Sequence, residues 1–124
     1  MTFLEQKVQK GTLIKMKKVE IIKSSREYTE IIGLNKARRS PYFSIYTRKN
    51  NEDSNRYGIS IPKKTGTAVV RNKVKRRIKN ILDNNKKTIQ KGWDYVIIVK
   101  KGILALTYLE IEKELLKLIR NIGD

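Results

Sequence analysis

The sequence contains no cysteine and no histidine. These two absences exclude disulfide bonds, thiolate nucleophiles, histidine general bases and the usual protein ligands of zinc. The longest run of apolar residues spans only positions 95–99, which is far too short to cross a lipid bilayer. Residues 1–18 contain no apolar segment of the kind that a signal peptide requires, so we expect a cytoplasmic protein that does not enter membranes.

Acidic residues are also scarce, because 12 Asp and Glu stand against 29 Lys and Arg, which gives a formal net charge of +17. A charge of this size opposes compaction through self-repulsion and is typical of a protein that binds a polyanion such as a nucleic acid. A disordered basic tail would have a similar charge. However, 39% of the 124 residues are hydrophobic, and they recur at regular spacings, which predicts a folded domain with a modest core.

The N-terminal part of the chain divides into an unpatterned stretch and the start of a domain. Residues 1–15 show neither a helical nor a strand period, and we interpret them as an extension that is a candidate for disorder. Residues 16–124 are predicted to form a single domain. Its first helix is short: Ser24 and Glu27 have the spacing of a capping box, and Gly33 suits the position just after the helix end.

Strand patterns follow this helix. Residues 42–48 alternate between two faces, as expected for a strand, and the polar, Asn-rich residues 49–55 are predicted to form a hairpin loop. Residues 57–61 alternate again, and Pro62 ends this strand because it cannot donate a ladder hydrogen bond.

The second half of the chain predicts a helix, a strand and a final helix. The apolar residues of the first of these helices recur at the helical period and are Val70, Val74, Ile78, Ile81 and Leu82. Residues 94–100 contain a continuous apolar run, bounded by Asp94 and Lys100, of the kind found in a buried central strand. Thr107 with Glu110 repeats the capping-box spacing. The order α-β-β-β-α-β-α predicts an α+β two-layer sandwich, in which helices cover one central sheet.

The helix over residues 71–79 has an unusual polar surface, with six basic residues in nine and no acid. When Val74 and Ile78 face the core, the opposite and flanking positions are occupied by Arg71, Asn72, Lys73, Lys75, Arg76, Arg77 and Lys79. A charged helix face of mixed sign is usually just solvated. Like charges four residues apart destabilise a helix unless a partner neutralises them, so this face predicts contact with nucleic-acid phosphates.

Residues 68–76 resemble the signature of the bacterial ribonuclease P protein subunit, whose core is an Arg-Asn-Arg/Lys run inside a helix. The segments around them match the family in the same order, at residues 57–61, 63–64, 94–98 and 100–101. The resemblance extends over about residues 16–122. It departs from the family at positions that are often basic or Phe, which are occupied here by Pro62, Thr67, Tyr28 and Ile32.

The resemblance implies that the chain is the non-catalytic protein subunit of an endonuclease that removes the 5′ leader of precursor tRNA. The expected partners are the catalytic RNA subunit and the precursor tRNA, not DNA. No catalytic residue and no metal site are expected in the protein, because Mg²⁺ would be held mainly by the RNA subunit and the substrate. The family also implies a left-handed crossover through the basic helix, where physical reasoning alone favours a right-handed one.

Two binding surfaces are implied. The seven residues listed above for the basic helix would bind the RNA subunit. A cleft between the first helix and the sheet would bind the leader, through Tyr28, Ile32, Tyr46, Lys63, Lys64, Lys100 and Lys101. The two tyrosines would stack on bases, Ile32 would form an apolar wall and the lysines would follow the phosphates. A role in core packing is equally open for each tyrosine.

The sequence also bears on three other functions. A ribosomal or other structural RNA-binding protein would have a similar size, charge and α+β pattern. A protein nuclease would need a carboxylate cluster for its metals, whereas the acids here are dispersed along the chain. A helix-turn-helix DNA-binding protein would need two adjacent helices, but the basic helix is flanked by strands.

Overall fold

The computed structural model describes residues 20–120. The strands are β1 (Glu20–Ile21), β2 (Ala37–Arg39), β3 (Phe43–Lys49), β4 (Arg56–Ser60) and β5 (Trp93–Val99). The helices are α1 (Ser25–Gly33), α2 (Ala68–Asn84) and α3 (Tyr108–Arg120), and short 3₁₀ turns span Lys63–Thr65, Lys86–Thr88 and Lys101–Ala105. The N-terminal extension predicted over residues 1–15 lies outside the described residues.

The five strands form one sheet in the order β1-β4-β5-β3-β2. The strand β5 is central, as its continuous apolar sequence predicted, and it pairs in parallel with β4 and antiparallel with β3. The predicted hairpin over residues 49–55 is wrong, because β5 lies between β3 and β4. The reason is that β5 is buried on both faces, at Tyr95, Val96 and Ile97. A strand of this kind lies inside the sheet, where its backbone pairs with a neighbouring strand along each edge.

The predicted α+β class and its order α-β-β-β-α-β-α are confirmed, with one strand added before α1. Helices cover both faces of the sheet, however, where two layers were predicted. Sequence patterns missed β1, which has only two residues and pairs in parallel with β4. Alternation cannot be recognised over so short a segment. Because β4 and β5 are adjacent and parallel, α2 forms the crossover between them.

Helices lie on both faces of the sheet. The stripes of α2 and α3 pack on one face, where the main core contains Phe43, Ile45, Ile59, Val74, Ile78, Tyr95, Ile97, Ile111 and Leu115, among others. On the other face α1 forms a smaller cluster, in which Ile22, Ile31 and Val96 are buried. Tyr46 and Ile98 pack beside this cluster but remain partly exposed. The single helix α1 therefore leaves part of its face of the sheet accessible.

The predicted capping box of α3 is confirmed. The Thr107 Oγ1 accepts a hydrogen bond from the Glu110 N–H at 3.2 Å, and the Thr107 N–H donates to the Glu110 carboxylate at 2.9 Å. The side chain of each of these two residues therefore accepts a hydrogen bond from the backbone N–H of the other, which fixes where the helix begins.

The ends of α1 differ from the prediction in two respects. The Ser24 Oγ accepts from the Glu27 N–H at 3.3 Å, but the Glu27 carboxylate binds Arg56 instead of returning to Ser24. Gly33 is the last helical residue, and the left-handed position after the helix belongs to Asn35, with φ of 56°. Asn tolerates this conformation better than most side chains, so a glycine is not required there.

Candidate nucleic-acid interface

The basic face predicted for α2 is present. Thr67 caps the helix by accepting a hydrogen bond from the Val70 N–H at 3.3 Å, and Val74 and Ile78 are buried against the sheet. The seven predicted residues, Arg71, Asn72, Lys73, Lys75, Arg76, Arg77 and Lys79, are exposed or half-buried on the remaining surface. Within residues 20–120, no carboxylate forms an ion pair with any of them. Such cations remain available to an external polyanion.

The predicted lysines come together at one end of the sheet. Because β4 and β5 are parallel, the turns that follow them lie at the same edge, and these two turns contact each other. They place Lys63, Lys64 and Lys101 on the exposed surface. The half-buried Lys100 directs its Nζ to the Ser40 carbonyl oxygen at 2.6 Å. The α2 helix also begins at this end, so its positive N-terminus adds to the same field.

Tyr28 combines packing and exposure. Its ring packs against the small cluster under α1, yet the residue is only half-buried. Burial raises the pKa of the Tyr28 hydroxyl, and a hydrogen bond with the Ile59 main chain partly opposes this increase. Ile32 lies one helical turn further along α1 and is 36% exposed. The two residues therefore line one accessible strip of the helix.

Tyr46 has a cation beside its ring that the sequence did not suggest. The Arg39 guanidinium carbon lies 5.7 Å from the ring centroid, and the Arg39 Nη2 donates to the tyrosine hydroxyl at 3.3 Å. Arg39 reaches this position because β2 pairs with β3, which sets Arg39 opposite Ser44. The accessible face of the sheet thus presents an aromatic ring together with an exposed guanidinium.

The opposite end of the sheet contains a cluster of ion pairs built around Asp94. This residue is buried, and its carboxylate accepts two hydrogen bonds from Arg56, at 3.1 and 2.8 Å, and one from Arg48 at 2.9 Å. The same two arginines continue to α1, at 2.9 Å to Glu27 and 3.2 Å to Glu30. The cluster therefore ties α1 to the sheet and sets the edge of the accessible face.

The charges of this cluster stabilise each other. Burial raises the pKa of Asp94, but hydrogen bonds from Arg56, Asn50 and Arg48 outweigh it, so the pKa lies below its usual value. The pKa of Arg56 is raised, mainly by its hydrogen bonds to Asp94. Sequence reasoning missed the cluster, since Asp94 looked like the charged boundary of an apolar strand and its arginine partners lie 38 and 46 residues away.

A polar cavity of about 420 Å³ adjoins this cluster. Its charged lining residues are Glu20, Glu52, Asp94, Arg48, Lys49 and Arg56, three of each sign. A cavity of balanced charge offers no net attraction to a polyanion, unlike the face of α2. Within the described part of the chain, no group of three or more carboxylates could hold a metal ion, and no helix is long and apolar enough to span a membrane.

Comparison with known proteins identifies the family. The family described as Ribonuclease P matches residues 16–123. The chain belongs to the ribonuclease P protein family. Its sequence is 44% identical over 110 residues to the ribonuclease P protein component of Mycoplasma mycoides, covering 86% of this chain and 99% of the relative. The corresponding component of Streptococcus pneumoniae is 35% identical over 105 residues, or 85% of each chain.

The fold agrees with this family. The ribonuclease P protein from Thermotoga maritima superimposes with a TM-score of 0.79 at 32% sequence identity, covering 85% of this chain and 99% of that one. The resemblance that rested on the Arg-Asn helix and its flanking strands is therefore confirmed. These comparisons establish the family and the architecture of the chain.

Proposed function

We propose that this ribonuclease P protein binds two RNA molecules, the catalytic RNA subunit and the 5′ leader of precursor tRNA, and thereby aids endonucleolytic removal of the leader in the cytoplasm. The observation that carries the proposal is the face of α2, where six cations in nine residues have no carboxylate partner within residues 20–120. Ordinary surface charges are partly neutralised by neighbours of opposite sign, and these are not.

The face of α2 is suited to docking on the RNA subunit. Arg71 and Arg76 can each bind a phosphate through two parallel hydrogen bonds, and Lys75 and Lys79 add point charges beside them. The buried stripe at Val74 and Ile78 holds the helix against the sheet. Because the helix is supported in this way, its backbone is already ordered when the RNA binds, and only the side chains lose conformational freedom.

The accessible face beside α1 is suited to the single-stranded leader. Tyr28 and Tyr46 offer partly exposed aromatic surface, and Ile32 provides apolar contact on the same helix as Tyr28. The exposed Lys63, Lys64 and Lys101 lie at the end of the sheet, where they can follow the backbone phosphates. Stacking on an aromatic ring accepts every base, which suits leaders of many sequences.

In this proposal Mg²⁺ is bound by RNA and not by the protein. The described residues of the protein do not fit a magnesium site, since they contain no suitable carboxylate cluster. The metal would be held mainly by the RNA subunit and the substrate. The protein would bring the substrate to the RNA and reduce the repulsion between their phosphates.

The direct test is cleavage of a precursor tRNA by the protein, by the RNA subunit and by both together, at low and high magnesium concentrations. We expect no cleavage by the protein alone and a clear increase over the RNA alone at low magnesium, because the +17 charge replaces part of the counterion requirement. Site-specific, metal-dependent cleavage by the RNA-free protein would contradict the proposal.

A further inference from the structure

Gly58 lies in the middle of β4 and faces α1. Its strand neighbours Tyr57 and Ile59 point into the main core, and Gly58 is paired with Val96, which belongs to the cluster under α1. A Cβ atom built on Gly58 would lie 2.6 Å from both the Cζ and the Oη of Tyr28. Real Cβ atoms essentially never come within 3.0 Å of a heavy atom outside their own and the adjacent residues. The Tyr28 ring therefore occupies the space of the missing side chain.

The ring is held in this place by more than the gap. The Tyr28 hydroxyl is hydrogen-bonded to the Ile59 main chain, the next residue of the same strand. Burial raises the pKa of this hydroxyl, which agrees with its position against the sheet. The residue as a whole is half-exposed. The distance by which the hydroxyl end of the ring enters the space above the sheet thus determines how much of the ring a bound molecule can contact.

We propose that Gly58 is a positioning residue for leader binding, because its lack of a side chain sets the depth and tilt of the Tyr28 ring. The inference rests on the proposed function, in which Tyr28 stacks on the leader. A glycine inside a strand often marks a close approach of another group, and here that group is the ring itself. Gly58 would act only through Tyr28 and would not touch the RNA.

The variant Gly58→Ala should move the ring and leave the strand in place. The atoms that the new methyl group would meet are at the far end of the Tyr28 side chain, so the ring can swing outward while the backbone remains. We expect the assembled enzyme to bind precursor tRNA more weakly and mature tRNA as before. The loss should not exceed that of Tyr28→Ala, which is about five-fold to a hundred-fold for one stack.

Gly33→Ala is the matched control. It makes the same chemical change, but a Cβ on Gly33 would have no neighbouring heavy atom within 4 Å. We therefore expect this variant to bind precursor and mature tRNA as the unmodified protein does. A selective loss of precursor binding in the control equal to that of Gly58→Ala would overturn the inference.

A double-variant cycle provides the deciding measurement. In the Tyr28→Ala background the added methyl group meets no ring, so Gly58→Ala should cause no further loss of precursor affinity. The double variant should also fold even if Gly58→Ala alone does not. An unfolded double variant, a full additional loss in the cycle, or an equal loss for both tRNAs with a lowered melting temperature would overturn the positioning role.

The same cycle separates this inference from the function on which it rests. If Tyr28→Ala weakens precursor binding selectively and Gly58→Ala does not, only the positioning role is wrong. If Tyr28→Ala has no selective effect, leader stacking on Tyr28 fails, and the role of Gly58 fails with it.

Discussion

Two groups of basic residues in this protein have the same chemistry and different surroundings. On α2, Arg71, Lys75 and Arg76 have no carboxylate partner within the described residues 20–120. At the start of β4 and the end of β3, Arg56 and Arg48 are bound to the buried Asp94 and to acids of α1. The comparison shows that net charge alone does not locate a binding surface. The distribution of the few acids decides which cations support the fold and which are available to RNA.

The largest effect on stability is expected from the paired group. Arg56→Ala removes two hydrogen bonds from the buried Asp94 carboxylate and the link to Glu27. Breaking a buried ion pair from one side typically costs about 3–5 kcal/mol of unfolding free energy. The remaining bonds from Arg48 and Asn50 would place the loss toward the lower end. Urea unfolding measures it.

Arg26→Ala is the control for this change. The Arg26 side chain is 87% exposed, and among residues 20–120 its ion pair is with Glu30 of the same helix. Exposed pairs of this kind contribute about 0–1 kcal/mol to the free energy of unfolding. Equal losses of stability in the two variants would mean that the Asp94 cluster does not hold α1 to the sheet.

The pH dependence of stability should follow Asp94. Its folded-state pKa is lower than the ordinary value of 3.8, so the unfolded chain takes up the proton first as the pH falls. The stabilisation is complete above that ordinary value and is lost as the pH drops through the lowered pKa. Urea unfolding between neutral and strongly acidic pH should show this loss, and Arg56→Ala should reduce it. An unchanged acid dependence in the variant would contradict the assignment.

A smaller and more selective effect is expected from Tyr28→Ala. Loss of one base stack costs about 1–3 kcal/mol in single-strand binding, or roughly five-fold to a hundred-fold in affinity. Since the ring is also half-buried, the melting temperature should fall as well. The informative quantity is therefore the ratio of precursor to mature tRNA affinity in the assembled enzyme. A ratio equal to that of the unmodified protein would assign Tyr28 to packing alone.

The smallest effect is expected from Arg39→Ala. The guanidinium lies against the Tyr46 ring and is exposed, and a cation–π contact at an exposed site contributes about 0.5–1 kcal/mol. We expect the unfolding free energy to fall by about that amount. Because the exposed guanidinium can also contact a leader phosphate, precursor affinity and its dependence on salt should decrease as well. Arg38→Ala provides a comparison on the opposite face of the same strand. The same loss in both variants would show that any cation on β2 serves equally.

Local sequence patterns located the three helices and the three longer strands of this fold, but they did not reveal which distant segments pair. The stripe at Val74 and Ile78 and the capping box at Thr107 each depend on residues within one or two helical turns. The insertion of β5 between β3 and β4, and the partners of Asp94, depend on residues more than 35 positions apart. For the site, the same limit applies: the basic helix was recognisable, whereas the Arg39 contact follows from strand register.

The salt dependence of RNA-subunit binding tests the central claim most directly. Log affinity falls linearly with log salt concentration, and each phosphate contact that is lost makes this slope shallower by about 0.7–0.9. The double variant Arg71→Ala/Arg76→Ala should therefore reduce the slope by about 1.4–1.8, with an unchanged circular dichroism spectrum. The control Lys113→Ala/Lys117→Ala removes the same charge from exposed positions on α3 and should leave the slope nearly unchanged. Equal slopes for the two double variants would show that the face of α2 is not the docking surface.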